Sequence, residues 1–349
     1  MYSLKANYLK LIQFDQNQAS TLKRIGEYKG KQDLFTRQTP EILESLKKVA
    51  IIESSESSNR LEGITAEHKR IKDMVLKSTE PKNRSEQEIA GYRDSLNLIH
   101  ESAKHMDFSV NVIMQIHSMI YRYLPQDGGR YKMTDNEIVE KNPDGSIMRV
   151  RFKAVSAVKT PFAMEQMAIG YKQSIYSENL EPLLIIPLTI LDFLCIHPFS
   201  DGNGRVARLL TLMLLYHFDY EVGRYISLER IFEESKETYY ESLEASSQKW
   251  HQGKHSPNPW LNYFWGAMLK AYKEFEERVG TIRKSKGSKT DQIIEAVKRK
   301  IGPFSISDIE RELPTISRDM IRIVLRKLRD EKTIIPQGKG RAAKWINKA

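Results

Sequence analysis

Cysteine is nearly absent from this chain. Cys195 is the only one in 349 residues, so no intramolecular disulfide can brace the fold. It lies in the apolar run LTILDFLCI, which reads as a buried structural thiol rather than a nucleophile. Long apolar runs are missing too: no window reaches the roughly 18 uninterrupted apolar residues of a membrane span. The N-terminal MYSLKANYLKLIQFD has no long apolar core behind its basic residue, so no signal peptide is expected. These absences predict a soluble chain with no membrane partner and a cytoplasmic location. Internal repeats and low-complexity tracts are lacking. There is no GxxxxGK[ST], no HRD…DFG pair and no GxSxG, so any phosphate chemistry must run through some other loop.

Charge is present but unevenly placed. The formal net charge is +10. Residues 281–349 hold 18 Lys and Arg against 8 Asp and Glu, while residues 1–280 hold 37 of each. The whole basic surplus sits in the last fifth of the chain, which points to a separate module with a polyanionic partner. A solvated basic face would carry the same charge.

Most of the chain has helical periodicity, so the expected fold class is mainly α. TPEILESLKKVAIIESSESSN opens on Thr39-Pro40, a cap and first helical position, and carries apolar residues at three- and four-residue spacing. RSEQEIAGYRDSLNLIHESAKH and SVNVIMQIHSMIYRYL repeat the pattern, and LPQDGGRY breaks it. At about 136–158 two strand-like runs flank Asn142-Pro143-Asp144-Gly145, which predicts a β-hairpin. EPLLIIPLTILDFLCI is apolar on nearly all sides and suits a central core helix, with Pro187 marking a kink or a late start. Residues 280–290, GTIRKSKGSKT, read as a linker.

Between two apolar helices stands IHPFSDGNGRVAR, Ile196 to Arg208. Pro198 discourages continuation of the first helix past His197. Gly202 and Gly204 flank Asn203 in a tight turn able to direct successive N–H groups at one point, an anion nest. A second helix, expected to begin near Arg205, adds its free N–H groups and partial positive charge. Arg205 and Arg208, three apart, share a helix face, and two guanidinium forks beside a nest suit a polyphosphate. A polyphosphate brings Mg2+, for which Asp201 is the hard oxygen ligand. Histidine ordinarily titrates near neutral pH, which makes His197 the natural candidate for a general base. A lone Gly-Asn-Gly is ordinarily just a turn; the ordered set is another matter.

HPFSDGNGRVAR resembles the Fic signature HPFx(D/E)GNGRxxR at every fixed position. The resemblance covers roughly residues 35–275 and implies a helical Fic core with a β-hairpin flap. It implies transfer of AMP from ATP to a hydroxyl of a target protein. His197 would deprotonate that hydroxyl, and Asp201 would hold Mg2+ on the α- and β-phosphates. Gly202, Asn203 and Gly204 would form the anion hole, Arg205 would help hold the phosphates, and Arg208 would take the γ-phosphate. Phe199 reads as core below the loop. The hairpin corresponds to the flap that pairs with a target backbone. SLERIFEESKETYYESL resembles the segment closing the adenine side, with Tyr239 and Tyr240 as candidates there or as ordinary packing residues.

Upstream, Ser58 to Gly63 reads SNRLEG and matches the inhibitory motif (S/T)xxxE(G/N) of many Fic proteins. It implies an ion pair between Glu62 and Arg208 that takes the γ-phosphate's partner, since a carboxylate and a phosphate cannot share one arginine. Ser58, four residues before Glu62, is in hydrogen-bonding reach of it on a helix. The same glutamate could instead orient water to remove AMP.

Beyond the linker, KTDQIIEAVKRKI, the segment from Ser307 and the segment from Ser317 read as three helices, the second preceded by a short strand. Strand-like runs follow around Gly338-Lys339-Gly340. This order resembles a winged-helix (α+β) domain. Ser317–Asp330 would be the recognition helix, with Arg318 and Arg322 facing a groove and Arg326 or Lys327 nearer the backbone. Lys339 and Arg341 would be wing contacts to phosphate. Such domains also serve protein interaction or dimerisation. The expected organisation is an N-terminal helical region at 1–90, the Fic core at 91–280, a linker at 281–290 and the winged helix at 291–349. The rival readings are a DNA-binding regulator whose core senses nucleotide and an enzyme with a different donor. A homodimer is left open.

Overall fold

The computed structural model describes residues 2–38, 40–125, 128–141, 146–177, 179–284, 289–300, 302–338 and 344–347. Its helices, in chain order, are α1 (Ala6–Leu9), α2 (Gln16–Gln38), α3 (Pro40–Leu61), α4 (His68–Lys77), α5 (Arg84–Ser102), α6 (Val110–Ile120), α7 (Thr160–Lys172), α8 (Pro182–Ile196), α9 (Asn203–His217), α10 (Leu228–Glu234), α11 (Lys236–Ser247), α12 (Asn258–Lys284), α13 (Lys289–Lys298), α14 (Ile306–Glu312) and α15 (Arg318–Asp330). The strands are β1 (Glu137–Lys141), β2 (Ile147–Lys153), β3 (Ile334–Gln337) and β4 (Lys344–Asn347), in two antiparallel pairs. One unit comprises Met1–Asp33 with Ala50–Tyr272, and the other Leu34–Val49 with Lys273–Ala349. Helix α5 runs unbroken across position 90, and α12 runs on as helix to Lys284, into the stretch that reads as a linker. Thr39 and the turn Asn142–Gly145 lie outside the described residues.

In the first unit the site rests on α8 and α9, both apolar and buried almost all round. Pro182 and the Glu181 side chain, which accepts from the Leu183 N–H, start α8. Pro187 then interrupts the helical ladder, because it cannot donate to Leu183 O. The indole N–H of Trp265 fills that vacancy at 2.8 Å. The indole of Trp260 donates to the Pro187 carbonyl at 2.8 Å. Two tryptophans of α12 therefore satisfy the backbone around the proline, and the helix continues through it.

The hairpin pairs Glu137 with Lys153 and Ile138 with Phe152, with irregularities beyond. It is pinned to α11 by a fork in which Arg149 Nη1 and Nη2 donate to Glu244 at 2.8 and 3.0 Å. Behind the site, α5 and α6 touch backbone to backbone at Gly91. A Cβ there would lie 2.0 Å from Ile120 O.

The second unit has its own core of Ile293, Val297, Phe304, Ile309, Ile321, Leu325 and Ile334, with Trp345 against it. A capping box of Ser305 and Asp308 begins α14, and Ser317 caps α15. The segment read as a strand before α14 is a single bridge of Phe304 to Trp345. Asn347 on β4 donates to Val297 O and Lys300 O, closing the end of α13.

Gly91→Ala should force α5 from α6 and cost about 1–3 kcal/mol, as overpacking does. A thermal melt checks this: the transition should fall by several degrees, and an unchanged midpoint would mean that the two helices separate freely.

Candidate active site

His197 ends α8 in a left-handed conformation, φ 50°. Its Nδ1 lies 3.2 Å from Leu194 O. A carbonyl only accepts, so Nδ1 carries the proton and Nε2 keeps its lone pair. Burial pushes the imidazole down to about 4; the adjacent Leu194 carbonyl works against this and the nearby Lys132 charge reinforces it. The ring is neutral at physiological pH, as a proton acceptor must be.

The loop after His197 is held from several sides. Asn203 clasps Phe199 at both backbone atoms, accepting from its N–H at 2.9 Å and donating to its carbonyl at 2.8 Å. Asn136 donates to the same carbonyl at 3.0 Å. Buried Lys132 donates to Ile196 O at 3.1 Å and to Asn136 Oδ1 at 2.7 Å, and its backbone N–H reaches Pro198 O at 2.9 Å. Phe199 is core, stacked on His117 at 3.7 Å between ring centres. Gly202, φ 79°, caps α9. The helix starts at Asn203 and not Arg205, so Asn203 and Gly204 belong to its first turn and the open loop is shorter than the sequence suggests.

Asp201 is solvent-exposed yet positioned. Its Oδ2 accepts from Tyr121 OH at 2.8 Å and its Oδ1 from the Gly202 N–H at 2.7 Å. His117 accepts the Gly129 N–H at Nδ1, 2.7 Å, which leaves Nε2–H to donate to Asp201 O at 3.1 Å. Partial burial raises the Asp201 carboxyl, but the Arg205 charge, Tyr121 and Gly202 outweigh it and hold it below the usual range. Arg205 is fully buried and already engaged. It donates to Glu88 at 2.7 Å and to Tyr121 OH at 3.0 Å, and approaches Asp201 Oδ2 at 3.4 Å. It holds Asp201 in place rather than presenting a free fork beside Arg208.

Arg208 meets the end of α3. Its Nη2 donates to Glu62 Oε1 at 2.7 Å and to Ser58 O at 2.8 Å, and its Nε donates to Ser58 Oγ at 2.8 Å. Ser58 thus serves Arg208 and not Glu62, the partner that i, i+4 spacing suggests. Burial opposes the Arg208 charge, and Glu62 more than compensates. Gly63, φ 80°, follows Glu62. Its N–H bonds Arg60 O and the Ile64 N–H bonds Asn59 O, a Schellman cap that explains glycine at this position. A Cβ on Gly204 would lie 2.2 Å from Glu62 Oε1. The carboxylate therefore occupies the first turn of α9, where an anion would be attracted.

A second clasp holds α3. Buried Glu229 accepts from Ser54 Oγ and from Tyr92 OH, each at 2.8 Å. Tyr239 is buried in an aromatic cluster, stacked on Phe232 at 5.2 Å. Tyr240 is half-buried and donates to Leu61 O at 3.3 Å. Both tyrosines feel the Arg208 charge.

In the second unit Arg318 pairs with Glu310, Arg322 with Asp319 at 3.1 Å and Lys327 with Glu331 at 3.8 Å; Arg326 is exposed. Lys339 and Arg341 lie outside the described residues. Sequence reasoning missed His117, Tyr121, Lys132, Asn136 and Glu88. The one signal was GGRYKMTDN ahead of the hairpin, where a lysine precedes an asparagine by four residues.

Residues 107–215 match the Fic/DOC family. The mainly helical fold of the chain is consistent with the Fic helical fold. In fold it is similar to a Fic family protein from Desulfovibrio desulfuricans, at 18% identity and TM-score 0.62, covering 97% of this chain and 98% of that one. A Fic domain containing signaling protein from Bacteroides thetaiotaomicron is similar at 22% identity and TM-score 0.60, over 72% of this chain and 94% of that one. Fic-1 from C. elegans is similar at 17% identity and TM-score 0.57, over 76% and 74%. Fic domains generally carry out AMP or related nucleotide transfer to protein hydroxyls. No described helix is long and apolar enough to cross a membrane.

Proton NMR checks the state of the base. The His197 ring signal should not titrate near 6.5, the ordinary histidine value, and should shift only as pH falls toward about 4. A midpoint near 6.5 would contradict the buried, neutral imidazole.

Proposed function

We propose that this chain is an autoinhibited protein adenylyltransferase, moving AMP from ATP to a Ser, Thr or Tyr hydroxyl and releasing pyrophosphate. The observation that carries the reading is the Glu62 carboxylate bonded to Arg208 and lying against Gly204 at the start of α9. An acidic side chain on an anion site is an internal competitor for a phosphate.

The chemistry follows from the groups around it. His197 Nε2 takes the proton of the target hydroxyl, and the freed oxygen attacks the α-phosphorus. The bond to the pyrophosphate oxygen breaks as the new ester forms. The N–H groups at the start of α9 face the charge that develops on the phosphate oxygens. Arg208, once released by Glu62, holds the γ-phosphate and fixes the α-phosphorus in line. Asp201 fits Mg2+: it is a single exposed carboxylate held in place by Tyr121 and Gly202, as expected where substrate phosphates supply further ligands. The ion would neutralise phosphate charge there. Tyr239 and Tyr240 stand beside Arg208 on the side assigned to the base.

The test is labelling of protein by α-labelled ATP with Mg2+ in a lysate. Glu62→Gly should label about ten-fold or more above the parent chain, the scale of one ion pair's coupling. Adding His197→Ala should remove about 10²–10⁴ of that. Equal labelling by Glu62→Gly and the parent at saturating ATP would reject the brake. No labelling by any variant would favour a nucleotide-sensing regulator.

A second reading concerns the last unit. Its three helices and paired strands, with the chain's whole basic surplus, support a winged helix that binds DNA through α15. Binding to duplex DNA should weaken steeply with salt, and Arg326→Ala should reduce the salt slope by about one. Salt-independent binding, or none, would assign the module to protein contacts.

A further inference from the structure

Helix α7 carries an outer face that the chain does not cover. Val158 just before it, Phe162 and Ile169 on it, and Tyr176 on the π turn that continues it are 91%, 70%, 54% and 70% exposed. The opposite face, with Met164, Met167 and Tyr171, is buried. Single exposed apolar residues need no explanation, but four large ones along one helix face do. Phe162, Ile169 and Tyr176 recur at spacing seven, the seam of a helix pair. Glu165 and Lys172 lie on the same face, between them. Neither has an ion-pair partner among the described residues.

We propose that α7 is a self-association face on which a second copy of this chain docks its own α7, antiparallel, about a two-fold axis. The charges choose both partner and direction. With the axis midway between Glu165 and Lys172, each Glu165 faces the other copy's Lys172, and two reciprocal ion pairs form. A parallel pairing would set Glu165 against Glu165 and Lys172 against Lys172. In the antiparallel register Ile169 lies beside the axis and meets its own copy. Phe162 comes over the end that carries Tyr176, so large apolar side chains close both ends of the seam.

Sedimentation velocity of the full chain over a micromolar concentration series tests this. The parent should show a reversible dimer, and Ile169→Asp should weaken it at least ten-fold while leaving the far-ultraviolet circular dichroism spectrum unchanged. Glu165→Lys or Lys172→Glu alone should weaken it roughly ten-fold, because each turns both pairs into like-charge pairs. The double reversal should restore it, which a general surface effect would not. Ile169→Cys should form a disulfide-linked dimer on mild oxidation, since Cys195 is buried. A parent that stays monomeric, a dimer indifferent to Ile169→Asp, or single reversals that the double does not rescue would overturn the proposal.

Discussion

The Arg208 guanidinium is the point on which the site turns. It is buried, so it must be paired; an isolated charge there would be strongly disfavoured. It is held at the end of α3 by the Ser58 hydroxyl and carbonyl and by the Glu62 carboxylate just past the helix, with Tyr239 alongside. A buried ion pair is poor evidence of added stability, because desolvation offsets much of the attraction. It is well suited to exchange. On the proposed reading, a phosphate brings more charge to the same fork and would replace the carboxylate without leaving the arginine bare.

The rest of the α3 seat is polar as well. Ser54, Ser55, Ser57, Ser58 and Asn59 are all buried, where a helix held by the hydrophobic effect would place leucine or isoleucine. Ser54 reaches Glu229, and Glu229 also receives Tyr92. Ile52 and Leu61 are buried beside them, so the end of α3 is held by both polar and apolar contacts. Helices α8 and α9 are the opposite case, since their burial all round fixes His197 and the loop. One half of the site is held by packing and the other carries many buried polar groups.

Sequence alone reached the parts of this arrangement that are contiguous. The end of α8 near His197, the Gly202 turn, and His197 and Asp201 as candidates follow from residue types within a short stretch. So does the helix–loop–helix frame, because apolar periodicity is strong there. The resemblance of SNRLEG to the inhibitory motif predicts the Glu62–Arg208 contact, and the two groups do meet. What failed was pairing across the chain. Helical spacing puts Ser58 near Glu62, but its hydroxyl turns to an arginine far away in sequence. Spacing also puts Arg205 and Arg208 on one face, as though that face met solvent. Helix α9 has no solvent face at this point, so Arg205 is absorbed by Glu88, Tyr121 and Asp201. His117 and Tyr121 read as ordinary members of an amphipathic helix. Only the α5–α6 approach at Gly91 shows why they reach the loop.

That approach ties the helical frame to the chemistry. Gly91 lets α6 come close enough for His117 to donate to Asp201 O and for Tyr121 to donate to its carboxylate. Both rings are locked in turn, His117 by Phe199 and the Gly129 N–H, Tyr121 by Arg205. The exposed carboxylate of Asp201 would therefore lose little freedom on taking up the proposed cation, because its rotamer is already set. The same economy governs His197, whose proton position is fixed by Leu194 and whose neutrality is fixed by burial. Preorganisation of this kind is consistent with the proposed reading, in which the Glu62 carboxylate at the end of α3 is the one group that must move.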